Sequence, residues 1–151
     1  MEENPSKYPR EIIRGIAQEI DMGMICFLNT DTMEYDCVFG RSYDTYWTGD
    51  YDDLYQEVYD KVAGWEHSIR IEPLESRESF QIMERFIEIC IPDNDTIKIR
   101  LWNAISKRKP FQNFKFIIDN SKYRQCWFDF KQSQMEVFVQ NQLLLGASCP
   151  G

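Results

Sequence analysis

Apolar residues change their spacing along this chain, and each change limits what it can fold into. Ile12, Ile13, Ile16, Ala17 and Ile20 recur at the helical interval. Pro9 opens that helix, since its missing N–H costs nothing at the first helical position. Gly23 is the expected C-terminal cap. Two stretches, residues 24–29 and 34–39, then alternate at the interval of a strand, around the turn Thr30-Asp31-Thr32-Met33. Pairing Cys26 with Cys37 puts Met24, Cys26, Leu28, Tyr35, Cys37 and Phe39 on one face, expected to be buried. Glu34, Asp36 and Asn29 then fall on the other face, among Ile25, Phe27 and Val38. Reduced core thiols are the preferred reading of the two cysteines, which would nevertheless be cross-strand neighbours within reach of oxidation.

Residues 40–49 read as a loop. A second helix starts at Asp52 or Asp53, with Leu54, Val58 and Val62 on one face. Residues 68–72 alternate as a third strand that Pro73 ends. Ser76 is read as the cap of a helix over residues 77–91, striped by Phe80, Met83, Phe86, Ile87 and Cys90. Residues 92–95 break the chain, and Ile97, Leu101, Ala104 and Ile105 mark the next helix. Lys107-Arg108-Lys109-Pro110 connects it to a helix with Phe111, Phe114 and Ile118 inward. A last helix spans residues 123–145, packed through Tyr123, Trp127, Phe130, Val137 and Phe138 and ended by Gly146. The expected architecture is α+β: a small antiparallel sheet, a hairpin plus a third strand, packed with about five helices, the C-terminal half mostly helical. Residues 1–146 form a single domain and residues 147–151 a frayed tail in this reading.

Charge is segregated along the chain. Residues 96–131 carry nine basic side chains against Asp119 and Asp129, a net of +7. Residues 1–95 carry eight basic and 22 acidic ones, and the whole chain is -8. Eight aromatics interleave with the basic run, among them Trp102, Phe116, Trp127 and Phe130. Most of these rings fall at core spacings, which leaves Trp102 and Phe116 as the ones free to meet a partner. Such a segment either faces an anionic partner or faces the acidic half of the same chain.

Several chemistries find no support. No apolar run approaches the ~18 residues of a membrane span, and mean hydropathy is -0.51. The first residues lack the basic and apolar regions of a signal peptide, so a cytoplasmic location is expected. The five cysteines are scattered with no C-x-x-C, and His67 is the sole histidine, which argues against zinc. His67 is read as a solvent-facing residue at a strand edge, with no triad partner at a recognisable spacing. No glycine-rich phosphate loop occurs. Asp50, Asp52 and Asp53 could gather a magnesium ion, but Asp is favoured at helix starts without one. The expectation is therefore no catalytic residue, no metal and no cofactor.

Three blocks carry a family resemblance. Ser76-Arg77-Glu78-x-Phe80-x-Ile82-Met83-Glu84-x-Phe86 precedes Arg108-Lys109-Pro110-Phe111-x-x-Phe114-Lys115, and Trp127-Phe128-x-Phe130-Lys131 follows. In this order and at about this spacing they resemble uncharacterised protein family 0158, a group of small bacterial proteins. The blocks cover residues 69–138, and the N-terminal helix and hairpin fit more loosely. The resemblance implies no activity. It singles out Arg77, Glu84, Arg108, Lys115 and Lys131 as polar motif positions beside core aromatics.

The leading expectation is a non-enzymatic interaction or regulatory module that docks a macromolecular partner, a protein in the first place, through its basic C-terminal helices. Arg77, Lys107, Arg108, Lys109, Lys115 and Lys131 are the expected anion- or partner-binding residues. The alternative is a binder of single-stranded RNA, or of a nucleotide or other small anion, on the same face. Nucleic acid ranks second because the net charge repels it at long range. The bland reading of Arg77 and Arg108 is a structural ion pair with Glu84 or Glu88. Homo-oligomerisation, basic face against the acidic tyrosine-rich residues 43–60, is also open; a membrane partner is not expected.

Overall fold

The computed structural model describes residues 8–39 and 50–148, with residues 50–55 and 147–148 described by their backbone alone. The expected loop at 40–49, the side chains of Asp50, Asp52, Asp53 and Leu54, and residues 149–151 of the expected tail lie outside the described residues. In chain order the elements are α1 (Arg10–Asp21), β1 (Met24–Asn29), β2 (Tyr35–Phe39), α2 (Asp50–Ala63), β3 (Ser68–Ile71), α3 (Ser76–Cys90), α4 (Thr96–Ile105), α5 (Pro110–Asp119) and α6 (Arg124–Ser148). This is the α+β architecture expected, helical in its C-terminal half. Among the described residues no helix is long and apolar enough to cross a membrane. The chain divides into two compact units, one of Met1–Pro73 with Met135–Gly151, the other of Leu74–Gln134.

The first unit is built on the sheet, ordered β2-β1-β3. Gly23 takes φ +92, the left-handed value a residue with a Cβ resists, and lets α1 turn directly into β1. β1 pairs antiparallel with both neighbours, Cys26 opposite Cys37 on one side and Ile71 on the other. The Cys26 face is core only in part: Cys26, Leu28, Ile69 and Ile71 are buried, as are Ile13, Ile16, Ala17 and Ile20 of α1, whereas Met24, Tyr35 and Cys37 are half-buried and Phe39, at the end of β2, is 50% exposed rather than buried as expected. The Tyr35 hydroxyl occupies the notch left by Gly15 on α1. The opposite face proves to be core as well. Ile25, Phe27 and Val38 are buried there beneath Val58, Val62 and Trp65. A central strand flanked by two others has both faces available for cover, and the apolar stripe of α2 takes the second. Asn29 is buried and satisfied, its Oδ1 accepting from the backbone N–H groups of Asp31 (2.8 Å) and Thr32 (3.2 Å).

The C-terminal part of α6 belongs to this unit and departs from expectation. Gly146 is not its cap, for the helix continues to Ser148. A Cβ at Gly146 would lie 2.7 Å from Ile69 Cγ2, so this glycine is where β3 and α6 approach closely. Val137 is 50% exposed; the buried stripe is Met135, Val139 and Leu143, at intervals of four.

The second unit is an all-helical cluster around aromatic rings. Phe86 of α3 sits edge-on to Phe114 of α5 (6.2 Å) and Trp127 of α6 (5.2 Å), and tilts against Phe130 (5.5 Å). Phe114 and Trp127 close the set at 4.7 Å. α4 adds Ile97, Leu101, Ala104 and Ile105 as the spacing requires. Phe111 does not turn inward. It is 41% exposed at the start of α5 and sits edge-on to Phe80, at 6.4 Å. α3 begins one residue earlier than expected, with Glu75 as its N-cap, and the Glu75 N–H donates to Glu78 Oε1 at 2.9 Å.

Candidate functional site

The expected basic residues divide by what surrounds them. Lys107, Arg108 and Lys109 form the turn between α4 and α5, and all three are exposed. None makes an ion pair among the described residues. The turn itself is held tightly. Asn113 Nδ2, one turn into α5, donates to the Ala104 carbonyl at 3.0 Å and the Arg108 carbonyl at 2.9 Å. Those two carbonyls bracket the turn, so one side chain fastens it at both ends. Lys109 takes φ 58 and ψ 53, a left-handed conformation uncommon outside glycine. Pro110 follows as the first residue of α5 and bars its predecessor from the right-handed helical region. The three cations therefore stand on an ordered corner.

Beside the corner, α5 turns Phe111, Gln112, Lys115 and Phe116 to solvent. Phe116 is 69% exposed, the more exposed of the two rings expected to be free; Trp102 is half-buried. The other expected residues are differently placed. Lys115 bonds Asp119 at 2.8 Å, one turn along, and holds that carboxyl below its ordinary value. Lys131 is half-buried on α6 with its ammonium 5.8 Å from the centre of the Trp127 ring. Arg77 is exposed in the first turn of α3. Neither Arg77 nor Arg108 makes an ion pair with Glu84 or Glu88 among the described residues. The corner and Lys115 are thus contiguous in α4 and α5, while Arg77 and Lys131 stand on other helices.

Two polar arrangements have no simple signal in the sequence. Lys98, 9% exposed, sends its ammonium to Asp93 at 2.6 Å and to the Glu88 carbonyl at 3.3 Å. It places positive charge at the C-terminal end of α3, where the helix dipole favours it. It also holds the Asp93 carboxyl below its ordinary value. A lysine inside an apolar stripe reads as a solvated residue until its partner ten residues upstream is known. In the first unit, Asp31 comes within 3.0 Å of His67 Nδ1, with Glu66 alongside. All three are exposed, and the Asp31 bond pushes the His67 pKa up. His67 faces solvent as expected, and no recognisable spacing announces Asp31 as its partner, because the β1–β2 turn and the residues leading into β3 bring the two together across 36 positions.

The motif blocks acquire a physical meaning here. Phe86, Phe114, Trp127 and Phe130, one or two from each block, are the rings that meet in the aromatic cluster. Their spacing preserves a core, while Arg108 and Lys109 from the same blocks remain at the surface. No curated protein and no solved structure matches this chain. A family model does match, over residues 42–144, reaching further toward the N-terminus than the three blocks. With that match covering more than half of the sequence, the chain belongs to the Uncharacterised protein family (UPF0158).

Proposed function

We propose that this protein is a non-enzymatic interaction module, which docks an acidic protein partner on the corner formed by Lys107, Arg108 and Lys109 and on the adjoining face of α5. The observation that carries this reading is the ordered turn itself: three exposed cations that make no ion pair among the described residues, on a turn fastened by two hydrogen bonds from Asn113. A fixed set of charges loses less conformational entropy on binding than a flexible one. The unit that bears the corner has eleven basic and eight acidic residues, a net of +3 within a chain of net -8. Phe111 and Phe116 add apolar area beside the charge, the combination that anchors protein interfaces. We place this activity in the cytoplasm, on the composition of the chain alone.

Exposure of Phe116 also favours the second reading, a binder of single-stranded RNA, because a free ring beside cations is a stacking platform. Retention on heparin across a salt gradient tests the shared premise of both readings. The Lys107, Arg108 and Lys109→Glu triple variant should lose retention while its melting temperature stays within a few degrees of the parent. Unchanged retention would overturn the corner as a docking site. Titration with labelled single-stranded RNA separates the two readings. RNA binding that falls with Phe116→Ala, with a salt slope lowered by about 2 in the triple variant, would replace the protein-docking reading.

A further inference from the structure

The first unit holds a second reactive arrangement, remote in sequence from the basic corner. Cys26 and Cys37 face each other across β1 and β2 with their sulfurs 2.6 Å apart. The type of pair matters. The Asn29 N–H donates to the Glu34 carbonyl at 2.8 Å, which makes residues 29 and 34 a hydrogen-bonded pair. Counting alternately along the register, 27 with 36 is hydrogen-bonded and 26 with 37 is not. The Cys37 N–H agrees, since it points away from β1 and donates to Asp36 Oδ1 at 3.1 Å. Non-hydrogen-bonded pairs bring their Cα atoms to about 4.5 Å, inside the range a disulfide spans without backbone movement.

The two thiols are not equivalent. Cys26 is fully buried on the central strand, while Cys37 is partly exposed on the edge strand β2. Hydrogen bonding to Cys37, followed by burial, pushes the Cys26 thiol pKa up. Cys37 is therefore the sulfur that meets a reagent first, and Cys26 the one that follows.

We propose that Cys26 and Cys37 form a thiol–disulfide exchange site for a small-molecule disulfide. The Cys37 thiolate attacks one sulfur of the reagent, the S–S bond of the reagent breaks, and one small thiolate leaves and takes up the proton that Cys37 gave away. Cys37 then carries a mixed disulfide. Its sulfur is then engaged in that bond, and the thiol–thiol hydrogen bond that is the first cause of the raised Cys26 pKa is lost. Cys26 loses its proton to solvent and attacks the Cys37 sulfur, expelling the second small thiolate, which is protonated in turn. Two protein thiols have then lost two electrons, and one small disulfide has become two thiols. The product ties the edge strand covalently to the centre of the sheet.

The test uses the full chain with Cys90, Cys126 and Cys149→Ser, so that only the pair remains, incubated with oxidised glutathione under native conditions and read by intact mass. A loss of ~2 Da that dithiothreitol reverses is expected. Adding Cys26→Ser should stall the reaction as an adduct ~305 Da heavier on Cys37, whereas adding Cys37→Ser should leave Cys26 unmodified. Should the serine variants not fold, peptide mapping of the oxidised wild-type chain must show Cys26 linked to Cys37. An unreacted dithiol, a stable adduct on the parent pair, or a wild-type map without that linkage overturns the proposal.

Discussion

The Tyr123 hydroxyl donates to Asp95 Oδ2 at 2.5 Å, while the other oxygen of the same carboxylate accepts from the Ile97 N–H at 3.0 Å. Asp95 is thus both the N-cap of α4 and the anchor of the residue that leads into α6. Each partner shifts the other. Hydrogen bonding to Tyr123 holds the Asp95 carboxyl below its ordinary value, and the Tyr123 hydroxyl is pushed up to about 12. The signs give two windows. The Asp95 contribution is present above the unfolded carboxyl pKa and is lost as pH falls through the lowered folded value. The Tyr123 contribution is present below the unfolded phenol pKa of 10.0 and is lost as pH rises through about 12. Burial also raises the Tyr8 and Tyr35 hydroxyls, so spectroscopic titration of tyrosinate should show several hydroxyls ionising late, and Tyr123→Phe should remove one late step near 12 while lowering the melting temperature at neutral pH.

Phe86 touches three other rings of the second unit and is fully buried. Phe86→Ala should cost about 3–5 kcal/mol, most of it as a cavity that rigid helices fill poorly. Urea unfolding would measure the loss, and Phe80→Ala, at a ring that is only half-buried, should cost clearly less.

At Gly146 two rules oppose each other. Alanine is favoured over glycine in a helix by about 1 kcal/mol, yet its Cβ would strike Ile69, with Cγ2 at 2.7 Å and Cγ1 at 3.1 Å. These atoms sit near the branch point of a stiff side chain and yield little. Gly146→Ala should therefore destabilise the chain by about 1–3 kcal/mol. In an Ile69→Ala background the same substitution should become neutral or stabilising. A double-mutant cycle with no coupling would refute the close approach.

His67 is the sole histidine, so its resonances titrate without ambiguity. Its midpoint should lie above the ordinary 6.5 because of the hydrogen bond to Asp31. A raised folded pKa means the pair supports folding fully below the unfolded value, and the support fades as pH rises through the folded one. Asp31→Asn should bring the midpoint back toward 6.5 and flatten that part of the stability profile.

Asn113→Ala leaves every charge in place and frees the α4–α5 turn. Heparin retention should weaken severalfold if rigidity of the corner contributes to binding, and circular dichroism should show the helices intact. Retention equal to that of the parent would assign the effect to charge alone.

Much of this was legible beforehand because it depended on period. Alternation marked the two strands of the hairpin, the register assumed for them, Cys26 opposite Cys37, is the one observed, and helical spacing placed Ile97, Leu101, Ala104 and Ile105 inward. What escaped depended on partners distant in the chain. The second core face of β1 needed α2 to cover it, and Gly146 looked like a helix end until Ile69 was seen against it. Phe111 fitted the helical interval of Phe114 and Ile118 but stays 41% exposed at the start of α5, edge-on to Phe80. Of the expected basic residues, Lys107, Arg108 and Lys109 were recognisable as a run, yet their lack of ion pairs among the described residues and the Asn113 fastening followed only from the fold.

The left-handed backbone at Lys109 sets two demands against each other at one position. A glycine there would relax a conformation that costs a side-chain-bearing residue about 1 kcal/mol, and the chain would gain stability by it. The same exchange would remove a cation from the corner. Lys109→Gly should accordingly make the protein harder to unfold and poorer at holding an anionic partner, so folding and binding pull this site toward different amino acids.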